Sequence, residues 1–208
     1  MAEWNRTHIM KERLGLNDLE SERYQGRPII HRDSPVDGGV YLGQGQREAI
    51  VVDSQKYPKL RQLYEVAKGK ATERRTVRKD RVLQAVYDTV AEAMPRQDND
   101  AVKELIHRYK VEKDGKISLD DFLEEGVGVC RHDALACATL LELFKKEGIV
   151  RGKTSVDRNS TYLGGHAWCR YTNSADEIFI LDIAQRYIGR LEDASNGDRW
   201  AYQRPEDF

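Results

Sequence analysis

The chain has 208 residues, a net charge of −1 and charged side chains at 33% of its positions. That length carries one elaborated domain, or two small ones, with a proper core, and the near-zero charge gives no whole-chain case for binding nucleic acid or membrane. Three cysteines, Cys130, Cys137 and Cys169, with no CxxC, argue against a disulfide scaffold and a structural zinc site.

The N-terminus, MAEWNRTHIMKERLGL, lacks the apolar core and small-residue cleavage site of a secretory signal. No apolar run approaches the ~20 residues that span a bilayer. A cytoplasmic location is therefore expected, with export by a route that needs no N-terminal signal left open. Up to Asp53 the chain reads as irregular, with short strands at residues 29–30, 40–42 and 50–52. GGVYLGQGQ is no phosphate loop, because no Lys-Ser or Lys-Thr follows it. Pro58 opens a helix whose apolar positions Leu60, Leu63, Tyr64 and Ala67 fall at helical spacing, and Gly69 is expected to close it. The basic stretch ERRTVRKDR, residues 73–81, reads as a solvated helix face or linker. Val82, Ala85, Val86, Thr89, Val90 and Ala93 mark a second helix that Met94-Pro95 stops. A third spans residues 101–110 around Val102, Leu105 and Ile106.

KVEKDGKISLDDF, residues 110–122, has two readings. As a calcium loop it would place Lys110, Glu112, Asp114 and Asp121 at ligand positions, and a lysine in the first of these is a serious defect. The simpler reading is a turn at Asp114-Gly115, a short strand at Lys116-Ile117, and Ser118 capping a helical turn with Asp121 three residues on.

GVGVCRHDALACATLLELF, residues 126–144, carries the chemistry. Cys130, Ala134, Cys137, Ala138 and Leu141 follow helical spacing, and Leu135, Leu140 and Leu143 widen the stripe until most of the helix is apolar. Such a helix is central. Gly126 and Gly128 let the entering chain turn tightly, and Gly148 ends the segment. Cys130 then stands at a helix N-terminus, where partial positive charge favours thiolate over thiol and unpaired backbone N–H groups can receive an oxyanion. Cys137 lies deeper on the apolar face and Cys169 inside a strand, so both suit packing.

A cysteine nucleophile needs a base held by a third group. His132 is two residues along the same helix, rotated by about 200° from Cys130, and is a poor choice. GGHAWCRYTNSADEIFILDIA reads as strands over residues 166–171 and 177–183. A hairpin symmetric about Ser174 would set His166 opposite Asp182 on one face, together with Trp168, Arg170, Ile178 and Ile180. An aspartate inside the apolar run FILDIA needs a partner. His166 supplies it, bonded to Asp182 through one ring nitrogen and facing Cys130 with the other.

GVGVCRHDALACATLLELFKKEGI, then GGHAW, then IFILDIA, resembles the transglutaminase-like branch of the papain-like cysteine enzymes. GVCRHDA is most similar to a bacterial and plant group in which Cys-Arg-His opens the nucleophile helix, a group that includes an N-terminal domain of plant Raf-like kinases. ISLDDFL, residues 117–123, resembles the lead-in to that helix. The match covers residues 116–189, and residues 1 to about 75 match nothing in the family. The resemblance implies an α+β fold with a papain-like core: a central nucleophile helix on an antiparallel sheet, preceded by an N-terminal extension. The extension is placed at residues 1–55 and the catalytic domain at 56–208, with a helical part at 56–125 and the core at 116–189. It also implies Cys130 as nucleophile, His166 as general base and acid, and Asp182 as the orienting residue. The expected activity is a cysteine hydrolase that attacks a peptide or glutamine side-chain amide through a thioacyl-enzyme. A protein-modifying acyltransferase, or an idle binding module on the same fold, are the alternatives. Gln44, Gln46 and Trp168 are candidates for a second oxyanion donor, Tyr162 for a substrate contact, and Arg131 for lining the site. The loop at residues 157–165 is expected to wall the cleft. A protein or peptide is the expected partner, with no cofactor and no metal. The N-terminal segment is open to a role as a pro-segment.

Overall fold

Five α-helices and a series of short strands make up the described residues of the computed structural model, which are 23–42, 48–109, 111, 115–161, 164–194 and 202–207. The fold is mixed α+β. Strands β1 (Arg23–Tyr24) and β2 (Arg27–Pro28) form a tight hairpin, and β3 (Val40–Leu42) pairs antiparallel with β4 (Ala49–Val51). The strand expected at residues 50–52 thus begins one residue early, and residues 29–30 provide only a bridge from Ile29 to Val40.

Helix α1 (Pro58–Ala71) runs through Gly69 rather than ending there. Ala71 is fully buried, and a helical glycine costs only about 1 kcal/mol, so packing carries the helix two residues further. The stop comes at Thr72, where the backbone turns extended and Oγ1 donates to the Lys68 carbonyl. The basic stretch is solvated, but as a hairpin rather than a helix face or linker. Strands β5 (Thr72–Glu73) and β6 (Thr76–Val77) flank Arg74 and Arg75, both at positive φ. Helix α2 (Val82–Ala93) has the expected bounds. After β7 (Arg96–Gln97), helix α3 (Asn99–Arg108) starts two residues before the expected point, because Asp98 caps it by accepting from the Asp100 N–H at 2.8 Å.

Strand β8 (Lys116–Ser118) adds parallel to β4 and completes a three-stranded sheet in the order β3-β4-β8. Ser118 caps helix α4 (Leu119–Glu125) in the expected capping box, with Asp121 Oδ2 accepting from the Ser118 N–H at 3.0 Å. Asp121 is therefore occupied by helix capping, while Lys110, Glu112 and Asp114 lie outside the described residues. Gly126 ends α4 with φ of +65°. Strand β9 (Val127–Gly128) pairs parallel with β7, so close that a Cβ on Gly128 would lie 2.9 Å from Met94 Sδ.

Helix α5 (Cys130–Lys146) is the hub. Twelve of its 17 residues are buried, and it packs on α1, on α2 and on the last sheet. That sheet is a four-stranded antiparallel meander of β10 (Gly152–Thr161), β11 (Gly164–Asn173), β12 (Ile178–Asp182) and β13 (Tyr187–Arg190). Strand β10 covers most of the stretch expected to be a loop over residues 157–165. Its polar residues Thr154, Ser155 and Asp157 are buried on both faces of the sheet, which hides the alternation that marks a strand.

Ala167, Cys169 and Leu181 join the main core with α5, whereas Trp168 and Ile180 join Leu191 and Tyr202 in a second, smaller cluster on the opposite sheet face. Ile30, Val36, Tyr41, Ile50 and Val52 also belong to the main core. Glu142 of α5 fixes that segment by accepting from the Val36 and Asp37 N–H groups at 2.8 Å each. Among the described residues, no helix is long and apolar enough to cross a membrane.

Candidate active site

The start of α5, the first residues of β11 and the end of β12 bring Cys130, His166 and Asp182 together. Val129 is the N-cap residue, in extended conformation. Its carbonyl takes the His132 and Asp133 N–H groups at 2.8 and 3.3 Å. The N–H groups of Cys130 and Arg131 have no helix carbonyl within reach, as at any helix start. Cys130 is only half-buried, whereas Cys137 and Cys169 are fully buried. Burial raises the pKa of both buried thiols well above the ordinary range. They are packing residues.

His166 Nε2 lies 2.5 Å from Asp182 Oδ2, with both side chains almost wholly shielded from solvent. With Nε2 so engaged, the other ring nitrogen is the one left to meet Cys130, to which the imidazole is also hydrogen-bonded. Burial opposes a charge on this ring. The bonds to Asp182 and Cys130 and their negative charge outweigh it, and the His166 pKa rises to about 9. The carboxylate is fully engaged: Oδ1 accepts from the Gln185 N–H at 3.1 Å, and Oδ2 also accepts from the Tyr202 hydroxyl at 3.0 Å.

The hairpin register differs from the expected one. Cys169 pairs with Leu181 and Arg170 with Ile180, which centres the turn on Ala175 rather than Ser174. Continued along the strands, this sets Asp182 opposite Trp168 and makes His166 its diagonal neighbour. A slip of two partner positions preserves which face each side chain occupies, so the histidine still reaches the aspartate.

The other residues at the helix start have structural partners. Arg131 Nε donates to buried Glu48 at 2.5 Å, and its Nη2 contacts the same oxygen. This ties the start of β4 to α5. His132 is fully buried and its Nδ1 accepts from the Val129 N–H at 3.1 Å. Its Nε2 stands 3.9 Å from Glu48 Oε1, beyond hydrogen-bond range. Burial, then the adjacent Arg131 charge, hold its pKa well below the ordinary value, so it is a neutral capping group. Trp168 packs edge-on against Tyr202 with its ring 5.9 Å from His166, and its indole N–H has no partner among the described residues. Gln44, Gln46 and Tyr162 lie outside the described residues. Those residues contain no cluster of side chains suited to hold a metal ion.

Two neighbours of the triad went unread in the sequence. Asp133 sits one helical turn from Cys130, 2% exposed. Its Oδ1 accepts from Gln97 Nε2 at 3.1 Å and its Oδ2 has no partner among the described residues. Burial above all, reinforced by the nearby Asp182 charge, pushes its pKa up to about 8. The signal was available, since no other acidic residue precedes Glu142 in this apolar helix. Tyr202 had none: it stands 20 residues beyond Asp182 in a polar tail. No protein-family model, curated protein or solved structure matches the chain.

Proposed function

We propose that the protein is a cysteine hydrolase that cleaves an amide, in a peptide bond or a glutamine side chain, on a papain-like core of the transglutaminase-like type. The observation that carries this reading is the continuous relay from Asp182 through His166 to Cys130 at the N-terminus of a buried helix. The imidazolium stays protonated across neutral pH beside the cysteine, which is the state that sustains a thiolate. Thiolate attack on the carbonyl carbon forms the C–S bond and an oxyanion, for which the Cys130 and Arg131 N–H groups are candidate donors. Collapse of the adduct breaks the C–N bond, and His166 gives its proton to the departing amine. Water then loses a proton to His166 and attacks the thioester, which releases the acid and regenerates the thiolate–imidazolium pair. Asp182 holds the ring in the one orientation that serves both steps.

Incubation with a panel of acylated peptide amides and glutamine-containing peptides, followed by intact mass, tests this. An acyl adduct should build up on Cys130 and turn over in wild type. It should be absent in Cys130→Ala and slower by at least about 100-fold in His166→Ala. Transfer of the acyl group to an added primary amine, in preference to water, would turn the assignment to acyl transfer. A Cys130 that forms no adduct with any member of the panel would count against both.

A further inference from the structure

Residues 202–207 return to the sheet face opposite the main core, next to the triad. Tyr202 is 7% exposed, stacked on Tyr187 with ring centroids 5.7 Å apart and edge-on to Trp168 at 5.1 Å. Packing alone would be satisfied by phenylalanine. The hydroxyl instead donates to Asp182 Oδ2, the oxygen that also bonds His166. Two residues on, Arg204 is buried and gripped from three sides. Its Nε and Nη2 fork onto Asp157 at 2.7 and 2.6 Å, Nη1 meets Asp33 at 3.0 Å, and Nη2 donates to Ser155 at 2.9 Å. Asp207 closes the clamp, taking both arms of Arg170 at 2.8 and 2.5 Å and the Arg204 N–H at 2.6 Å.

Buried ion pairs of this kind add little net stability compared with apolar packing, and their attested use is to fix one arrangement among several. Here the arrangement fixed is the placement of one phenol. The forks hold residues 204–207 against β10 and β11 in a single register, and that register sets the Tyr202 hydroxyl on the carboxylate.

We propose that Tyr202 is a positioning residue of the Cys130–His166–Asp182 site and that residues 202–207 form a clamped strap on which the competence of the site depends. The inference rests on the catalytic reading of that triad. The hydroxyl bond fixes the rotation of the Asp182 carboxylate, and through it the tilt of the His166 ring toward Cys130. It also shares the negative charge that would otherwise fall wholly on the imidazolium. The phenol, packed between Tyr187 and Trp168, keeps water from the His166–Asp182 bond. A strap that leaves its seat removes the hydroxyl and opens that bond to solvent. Asp133 of α5 and Tyr87 of α2 also act electrostatically on the triad, but neither depends on the strap.

The test uses the full chain and two readouts, the pH profile of iodoacetamide alkylation at Cys130 and the His166 titration followed by NMR. Tyr202→Phe keeps the ring and removes one oxygen, so thermal stability should change little. Cys130 alkylation at pH 7 should slow by about three- to tenfold, the net scale of a single typical hydrogen bond, with the His166 titration displaced by about half a pH unit or more. Arg204→Ala releases the strap, and in that background the further change Tyr202→Phe should have no effect. If Arg204→Ala does not fold, Asp207→Asn, which weakens the Arg170 fork and leaves the Arg204 side-chain bonds in place, replaces it and should reduce the Tyr202→Phe effect. A Tyr202→Phe protein with the wild-type profile and titration would overturn the proposal. So would an unchanged Tyr202→Phe effect after the strap is released. Failure of the triad itself reads out separately, as a His166→Ala protein whose Cys130 reacts like wild type.

Discussion

Asp133 shows what a single buried carboxyl costs and why the site tolerates it. An exposed aspartate titrates near ~3.9, whereas this one is lifted to about 8 by burial. Between those values the native state keeps a proton that the unfolded chain has lost. Stability therefore falls as pH rises from about 4 toward 8, and below ~4 the group makes no difference. At neutral pH the uncharged carboxyl also spares Asp182 and His166 a second negative charge. Asp133→Asn keeps an acceptor for Gln97 and removes the titration. It should be more stable than wild type at pH 7, by about 1–3 kcal/mol, with the advantage gone at ~pH 4. Urea unfolding of both proteins across that range measures it, and a constant difference at every pH would contradict it. His166 has a linkage of the same sign in a higher pH window. Its pKa is raised in the fold, so its contribution is full below ~6.5 and is lost as pH rises through about 9.

At the scale of elements, local sequence chemistry specified each helix, but their joints came from distant residues. Ser118 and Asp121 advertise a capping box, and the box is there. The neighbouring Asp120 shows no such pattern. It is buried, and its carboxylate accepts from the Lys59 and Leu60 N–H groups at 2.6 and 3.3 Å, so α4 caps α1 across some 60 residues of chain. Asp120→Ala should lower stability by about 1–2 kcal/mol, the usual loss for a cap, as an earlier midpoint in urea with the far-UV spectrum preserved. The cysteine helix was legible because apolarity around its whole circumference leaves a helix no place but the centre. Strand β10 was not, because Ser155 and Asp157 are buried polar residues serving Arg204. A pattern of burial that depends on an arginine near the end of the chain cannot be read from the strand itself. The hairpin lies between these cases. Its turn centre was displaced by one residue, which shifts the partners by two and returns every side chain to the same face. The pairing of His166 with Asp182 survived an incorrect register for that reason.

Across the whole molecule, three segments far apart in sequence converge on the positive end of α5. Glu48, just before β4, is tied to Arg131, the β11–β12 hairpin delivers His166 and Asp182, and residues 202–207 place Tyr202 behind them. The triad was legible because each member was conspicuous alone: a cysteine after a glycine-rich turn, a histidine opening a strand, an aspartate in an apolar run. Asp133 and Tyr202 lie beside that triad, and only the assembled fold places Tyr202 there. The most direct test of this account is the rate of Cys130 alkylation by iodoacetamide as a function of pH, measured site by site in wild type and His166→Ala. Cys130 should react in wild type well below the ~pH 8 at which ordinary thiols become reactive, and His166→Ala should abolish this advantage. A Cys130 that behaves as an ordinary thiol in both proteins would contradict the catalytic assignment.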